Sequence, residues 1–169
     1  MRSITIPTTK EIVRGLEPGE MINISGTILT GRDAVLPKVV EAIREGRLEE
    51  LGIDLDGQVM FHTAVSPAGV GPTSSNKLEI EGTMEELSKA GVRIHLGKGR
   101  LKPETINMLA ENDSVYAVIP PVTALLESRT VSRRVIAFEE LGMEALHCLE
   151  IKDYPAIVAA AGGESIYDR

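Results

Sequence analysis

The sequence predicts an α/β layered protein folded as a single domain over residues 1–169. Short stretches that alternate apolar with polar or small residues read as strands, and between them apolar residues recur at helical spacing. The two patterns are mixed along the whole chain, as layered α/β folds require. A length of 169 residues, 43% of them hydrophobic and 25% charged, suits one buried core, and no internal repeat, low-complexity tract or linker divides it.

The first strand pattern runs from Met21 to Leu29 and closes at Thr30-Gly31-Arg32-Asp33. From Ala34 onward, Val35, Val39, Val40, Ile43 and Leu48 recur among Lys38, Glu41, Arg44 and Glu45, the pattern of an amphipathic helix. Asp33 is expected to cap it, and Pro37 is tolerated only in its first turn. A short strand over Gln58–Thr63 follows, then a loop rich in small residues from Ser66 to Ser75, with backbone and hydroxyl groups to offer a ligand. Thr83 and Glu86 have capping-box spacing, which predicts a helix over Thr83–Ala90. Val92–Leu96 reads as a strand ending at Gly97-Lys98-Gly99. Pro103–Asn112 reads as a helix, Val115–Ile119 as a strand and Val122–Glu127 as a short helix. Val131–Phe138, Ala145–Ile151 and Ala156–Ala160 supply three further strands.

Composition narrows the function. No apolar run approaches the roughly 20 residues that span a bilayer, and no secretory leader pattern opens the chain, so a soluble, cytoplasmic protein is expected. A net charge of -7 with only 3% aromatic residues argues against nucleic acid as the main partner. An anionic substrate must therefore meet a local cluster of cations. The single cysteine, Cys148, cannot by itself hold a zinc site or an iron–sulfur cluster, and it is expected as a small buried residue in a strand.

Three polar segments each follow a strand: Thr30-Gly31-Arg32-Asp33, Gly71 to Lys77, and Gly97-Lys98-Gly99-Arg100. Ligands of open α/β sheets gather at the carboxyl ends of strands, so these segments can surround a small polycarboxylate. Arg32 suits bidentate binding of a carboxylate, while Lys77 and Lys98 act as point charges. Each has a plainer reading as well: a local ion pair at a helix start for Arg32, a solvated lysine for Lys77, an ordinary Gly-Lys-Gly turn for Lys98. Nucleotide motifs fail on spacing, since no Ser or Thr follows Lys98 and Gly69-Val70-Gly71 lacks a third glycine. His62, His95 and His147 stand singly in predicted strands without metal-ligand spacing; His62, which leads into the small-residue loop, is the one with a functional alternative.

Four separated strings carry a family resemblance: Ser25 to Ala34 (SGTILTGRDA), Gly71 to Ser75 (GPTSS), Leu96 to Gly99 (LGKG) and Phe138 to Ala145 (FEELGMEA). In order and approximate spacing they resemble the beta subunit, or C-terminal domain, of class I iron–sulfur fumarases and L-tartrate dehydratases, over about Ile22 to Ala159. The resemblance implies a β/β/α domain of the swivelling type seen in Fe-S hydro-lyases. It also implies an alpha subunit whose three cysteines hold a 4Fe-4S cluster, with one open iron acting as a Lewis acid during reversible addition of water to a carbon–carbon double bond. The family's substrate-facing positions fall on Arg32, Thr73, Lys77 and Lys98, with Thr73 the proton-transfer candidate and Ser74 keeping a hydroxyl where the family has a second threonine.

The expected role is thus the beta subunit of a hetero-oligomeric fumarate hydratase, interconverting fumarate and L-malate as in the tricarboxylic acid cycle. A tartrate or methylfumarate dehydratase subunit, and a non-catalytic dicarboxylate-binding domain, stay open. Two departures bear on substrate: Leu36 stands where the family commonly has histidine, and Lys77 where it usually has arginine, so a planar fork becomes a point charge. Pro120-Pro121-Val122-Thr123 replaces a familiar glycine-alanine segment, and the stretch between Phe61 and Gly71 is short.

Overall fold

The computed structural model describes residues 1–66, 69–73, 77–119 and 123–168, without the side chains of 66, 69–73, 77–80, 123 and 168. Its strands are β1 (Arg2–Ile6), β2 (Met21–Thr30), β3 (Val59–Phe61), β4 (Thr63–Ser66), β5 (Gly69–Thr73), β6 (Ile94–Gly97), β7 (Val115–Val118), β8 (Thr130–Ala137), β9 (Leu146–Ala161) and β10 (Glu164–Ser165). The helices are α1 (Lys10–Arg14), α2 (Leu36–Arg44), α3 (Lys77–Lys89), α4 (Pro103–Glu111) and α5 (Thr123–Ser128), with 3₁₀ turns at Glu139–Glu144 and Ile166–Asp168. No helix among the described residues is long and apolar enough to cross a membrane.

β2, β3, β6 and β7 run parallel in that spatial order, and β1 adds parallel to the first half of β2. β9 is antiparallel to β2 from Met21↔Ile157 to Thr30↔His147, and antiparallel to β7 from Tyr116↔Ala160 to Val118↔Ile157. The pairing path therefore closes on itself, β2–β3–β6–β7–β9–β2. A layered α/β domain was the expectation; the structure is mixed α/β, and its main sheet closes into a ring.

Side-chain alternation shows what the ring encloses. Ile24 and Ile28 of β2, Val59 and Phe61 of β3, Ile94 and Leu96 of β6, Val115 and Ala117 of β7, and Leu149, Ile151, Tyr154 and Val158 of β9 join one apolar cluster. Residues of opposite parity face helices instead. Met60 and Cys148 pack with Val35, Leu36 and Val39 at α2 and with Leu87 of α3, whereas Tyr116 and Ala160 pack with Ile106 and Leu109 of α4. Removing a large aliphatic side chain from water stabilises by about 1.5–3 kcal/mol before entropy is subtracted, so both faces of each central strand contribute. Gly26 is required where the end of β1 pairs with β2: its φ is +121°, and a Cβ there would collide with the Ile6 carbonyl oxygen.

Several sequence expectations need correction. Ser66 to Ser75 was expected as a loop, but its described residues, Ser66 and Gly69–Thr73, belong to β4 and β5, which pair as an antiparallel two-stranded sheet, Thr63↔Thr73 to Ser66↔Gly69; residues 67–68 and 74–75 lie outside the described residues. Val35, not Asp33, occupies the cap position of α2, and no side-chain cap hydrogen bond forms. α3 begins at Lys77, so Thr83 is interior and forms no capping box. The last two predicted strands are one 16-residue strand, β9, because a positive φ of 52° at Asp153 bends it without ending it. α4 keeps its predicted proline start. Its far end is tied to α3 by buried Arg93, whose Nη1 donates to Asn112 O at 2.7 Å and whose Nη2 donates to Ser88 O at 2.5 Å.

A buried polar chain runs beneath α3. His62 Nε2 lies 3.1 Å from His95 Nδ1, and His95 Nε2 lies 2.9 Å from Ser88 Oγ. Both rings are fully buried, and His62 Nδ1 has no hydrogen-bond partner among the described residues. Burial pushes His62 down to about 3, and burial together with His62 and Arg93 holds His95 well below the ordinary range. Both histidines thus fold neutral while the unfolded chain protonates them below about pH 6.5, so stability is full above that value and falls as pH drops. Each contributes a slope of about 1.4 kcal/mol per pH unit across that window. Urea unfolding at pH 7.5, 6.0 and 5.0 should show the midpoint falling steadily; an unchanged midpoint would contradict neutral burial of the pair.

Candidate active site

Three parallel strand ends lie level because the β2–β3 and β3–β6 ladders share a register, Thr30↔Phe61 and Phe61↔Leu96. The ladders extend one residue further: Gly31 N donates to Phe61 O at 3.0 Å, and His62 N donates to Leu96 O at 3.0 Å. Arg32, Thr63 and Lys98 therefore leave one edge of the sheet side by side. Two inter-strand steps separate the Arg32 and Lys98 backbones, about 10 Å, a gap their long side chains can close around a small anion.

Local sequence explains how each is held. After β2 the chain turns at once, with Arg32 O accepting from Val35 N at 3.2 Å and Leu36 N at 2.9 Å. Gly31 permits that turn, since a Cβ there would lie 2.7 Å from Val35 Cγ1 and 3.0 Å from Leu36 Cδ2. Leu36 itself is buried in the cluster under α2, so the position where relatives were expected to carry histidine is here a packing residue. Lys98 is exposed in a loop pinned by Tyr116, whose hydroxyl donates to Gly99 O at 3.0 Å.

Arg32 is half-buried and ion-paired. Its Nε donates to Glu144 Oε1 at 2.8 Å and Oε2 at 3.1 Å, and its Nη2 donates to Oε1 at 2.5 Å. This pair, with side chains 32% and 27% exposed, raises the arginine's pKa further, chiefly through the hydrogen bonds, and keeps it cationic. Glu144 ends the 3₁₀ turn before β9, and the antiparallel register Thr30↔His147 brings that turn to the end of β2. Sequence reasoning placed Glu144 inside a motif without giving it a task. Its position in that otherwise unexplained string was the available signal.

The third predicted segment is only partly described. Thr73 pairs with Thr63 and so lies beside the middle of the three strand ends, and Lys77 opens α3 four residues on. The side chains of Thr73 and Lys77, and Ser74 altogether, lie outside the described residues. Arg32, Lys98 and the Thr73 backbone are thus brought to one end of the ring, and the other two positions flank it in sequence. A groove of ≈ 380 Å³ adjoins the Glu144 turn, lined by Val65, Arg133, Arg134, Val135, Gly142, Met143 and His147. His147 is oriented by Ala145 O, 3.0 Å from its Nδ1.

The one cysteine of the sequence does not suit a metal cluster. Cys148 is buried against α2 and β2, and burial pushes its thiol pKa up, the opposite of what a thiolate ligand needs. Among the described residues no group of three His, Cys, Asp or Glu side chains is placed to hold a metal ion.

The chain is similar to known proteins over most of its length. The chain is 31% identical to "Putative L(+)-tartrate dehydratase subunit beta" of Methanocaldococcus jannaschii, covering 95% of this chain and 88% of that one. It is 25% identical to L(+)-tartrate dehydratase subunit beta of Escherichia coli, over 93% of this chain and 81% of that protein. It is also 28% identical to "Putative fumarate hydratase class I" of Geobacillus stearothermophilus, where 99% of this chain matches only 34% of the longer protein. The family model described as Fumarase C-terminus matches residues 1–169, and the chain belongs to that family.

Proposed function

We propose that this chain is the beta subunit of a 4Fe-4S-dependent hydro-lyase acting on a four-carbon dicarboxylate, most simply the interconversion of fumarate and L-malate. The observation that carries the reading is the level alignment of the β2, β3 and β6 ends, which puts Arg32 and Lys98 on either side of the strand pair bearing Thr73. An arginine fork binds a carboxylate in a fixed orientation, and a lysine point charge holds a second anionic oxygen without fixing its plane. Lys77 and Ser74 complete the anion and hydroxyl set on this reading. Dehydration removes a proton from one carbon and hydroxide from its neighbour as the double bond forms. The Thr73 hydroxyl is assigned to the proton, a role in which it needs surroundings that activate it. On this reading a partner alpha subunit carries the cluster, since the one cysteine of the sequence, Cys148, is buried and its thiol pKa is raised.

L-tartrate is the second reading. It is favoured by the match in length: the chain spans most of the tartrate dehydratase beta subunits and a third of the longer fumarate hydratase. Relative kcat/KM for L-malate and L-tartrate in the two-subunit enzyme decides between them.

Three outcomes test the proposal. The isolated chain should purify without iron and without hydratase activity, gaining activity only with a cysteine-bearing partner; stoichiometric cluster on the lone chain would contradict the assignment. Arg32→Ala and Lys98→Ala in the assembled enzyme should each lower kcat/KM by the equivalent of about 2–5 kcal/mol, against well under ~1 kcal/mol for a solvated surface charge. Thr73→Val combined with Ser74→Ala should lower kcat by about 10²–10⁴-fold with little change in KM, and a double variant keeping more than roughly a tenth of the parent kcat would remove proton transfer from this segment.

A further inference from the structure

Arginine has two edges on which a carboxylate can sit bidentately: side-on across Nε and Nη2, and end-on across Nη1 and Nη2. In this chain the side-on edge of Arg32 is taken by Glu144, through Nε at 2.8 and 3.1 Å and Nη2 at 2.5 Å. Every hydrogen bond of Arg32 among the described residues uses that edge, so the end-on edge is left to face a ligand. We infer that Glu144 is a positioning residue, which clamps one edge of Arg32 so that the other is presented to a substrate carboxylate. The inference rests on the carboxylate-binding role given to Arg32 above and adds the residue that aims it.

The backbone around Glu144 is built for this reach. Phe138 adopts a left-handed φ of 57° before the 3₁₀ turn, and Gly142 interrupts the turn at φ 61°, ψ -122°. Two such departures in one short turn redirect the chain so that Glu144 meets a residue 112 positions away in sequence. The same turn packs against β4, the strand paired with the Thr73 strand. One segment therefore braces both the arginine and the hairpin, which gives the Phe138–Ala145 motif a task.

Two effects of Glu144 on substrate oppose each other. Its negative charge repels an incoming dicarboxylate, but both side chains are about a third exposed and the repulsion is screened by solvent. Its clamp removes the rotational freedom of a long side chain before substrate arrives, which is a saving at every binding event. Orientation should win, and the sign is testable. In the assembled two-subunit enzyme, assayed with L-malate and L-tartrate, Glu144→Ala should raise KM roughly three- to tenfold with a smaller effect on kcat, and Glu144→Gln should fall between it and the parent. In an Arg32→Ala background the Glu144 change should add nothing further to KM, and the melting temperature should not track KM across the series.

An equal KM rise in both backgrounds would show that Glu144 acts structurally and overturn the inference. A KM that is unchanged or lowered by Glu144→Ala would overturn it too, the lowered value meaning that repulsion dominates. If Arg32→Ala raises KM while the Glu144 variants are silent, only the positioning role fails. A normal KM in Arg32→Ala removes the carboxylate role of Arg32 and the inference with it.

Discussion

Strand β9 is the constraint on which the rest of the molecule depends. It pairs with both β2 and β7, and so it converts a run of parallel strands into a ring. A closed ring cannot slip by one residue without turning its whole apolar set outward, which fixes the register of every neighbour. The candidate site is a consequence of that register. Arg32 and Lys98 follow different strands, and only because the β2, β3 and β6 ends are level do they share an edge. The turn that carries Glu144 leads directly into β9, so the strand that closes the ring also delivers the partner of Arg32.

Much of the secondary structure could be read from periodicity where an element has one buried and one polar face. α2 and α4 are of this kind, and the proline start of α4 was visible directly. The failures have physical causes. β3 and β6 are buried on both faces, so their apolar runs carry no alternation that says what lies on either side. β5 contains Gly69, Gly71 and Pro72, the composition of a loop, yet it pairs with β4. Ring closure was invisible because pairing across more than 100 residues, as in Thr30↔His147, leaves no local mark. β1 and α1 lay ahead of the first strong pattern and were not assigned at all.

For the site, residue type and position after a strand singled out Arg32 and Lys98, but their proximity follows only from topology. Glu144 shows the limit of that reading: a carboxylate in a turn looks solvated until the partner that antiparallel pairing brings to it is known. Charge gives a related lesson. A chain of net charge -7 repels dianions at long range, yet screening over about 8 Å at physiological salt confines that repulsion, and local cations decide what the site admits. The buried His62–His95–Ser88 chain beneath α3 is a different design. Its rings are held neutral by burial, so it couples the packing of α3 to pH without adding charge near the site.

The claim at the centre of this account is that the level strand ends form the seat of a dicarboxylate. A crystal structure of the two-subunit enzyme with L-malate or L-tartrate bound tests it most directly. The account predicts one substrate carboxylate on the Nη1–Nη2 edge of Arg32 and another anionic oxygen on Lys98 Nζ, each at about 3 Å, with Glu144 still on the Nε edge. A dicarboxylate held wholly by the partner subunit, with Arg32 and Lys98 facing solvent, would contradict it.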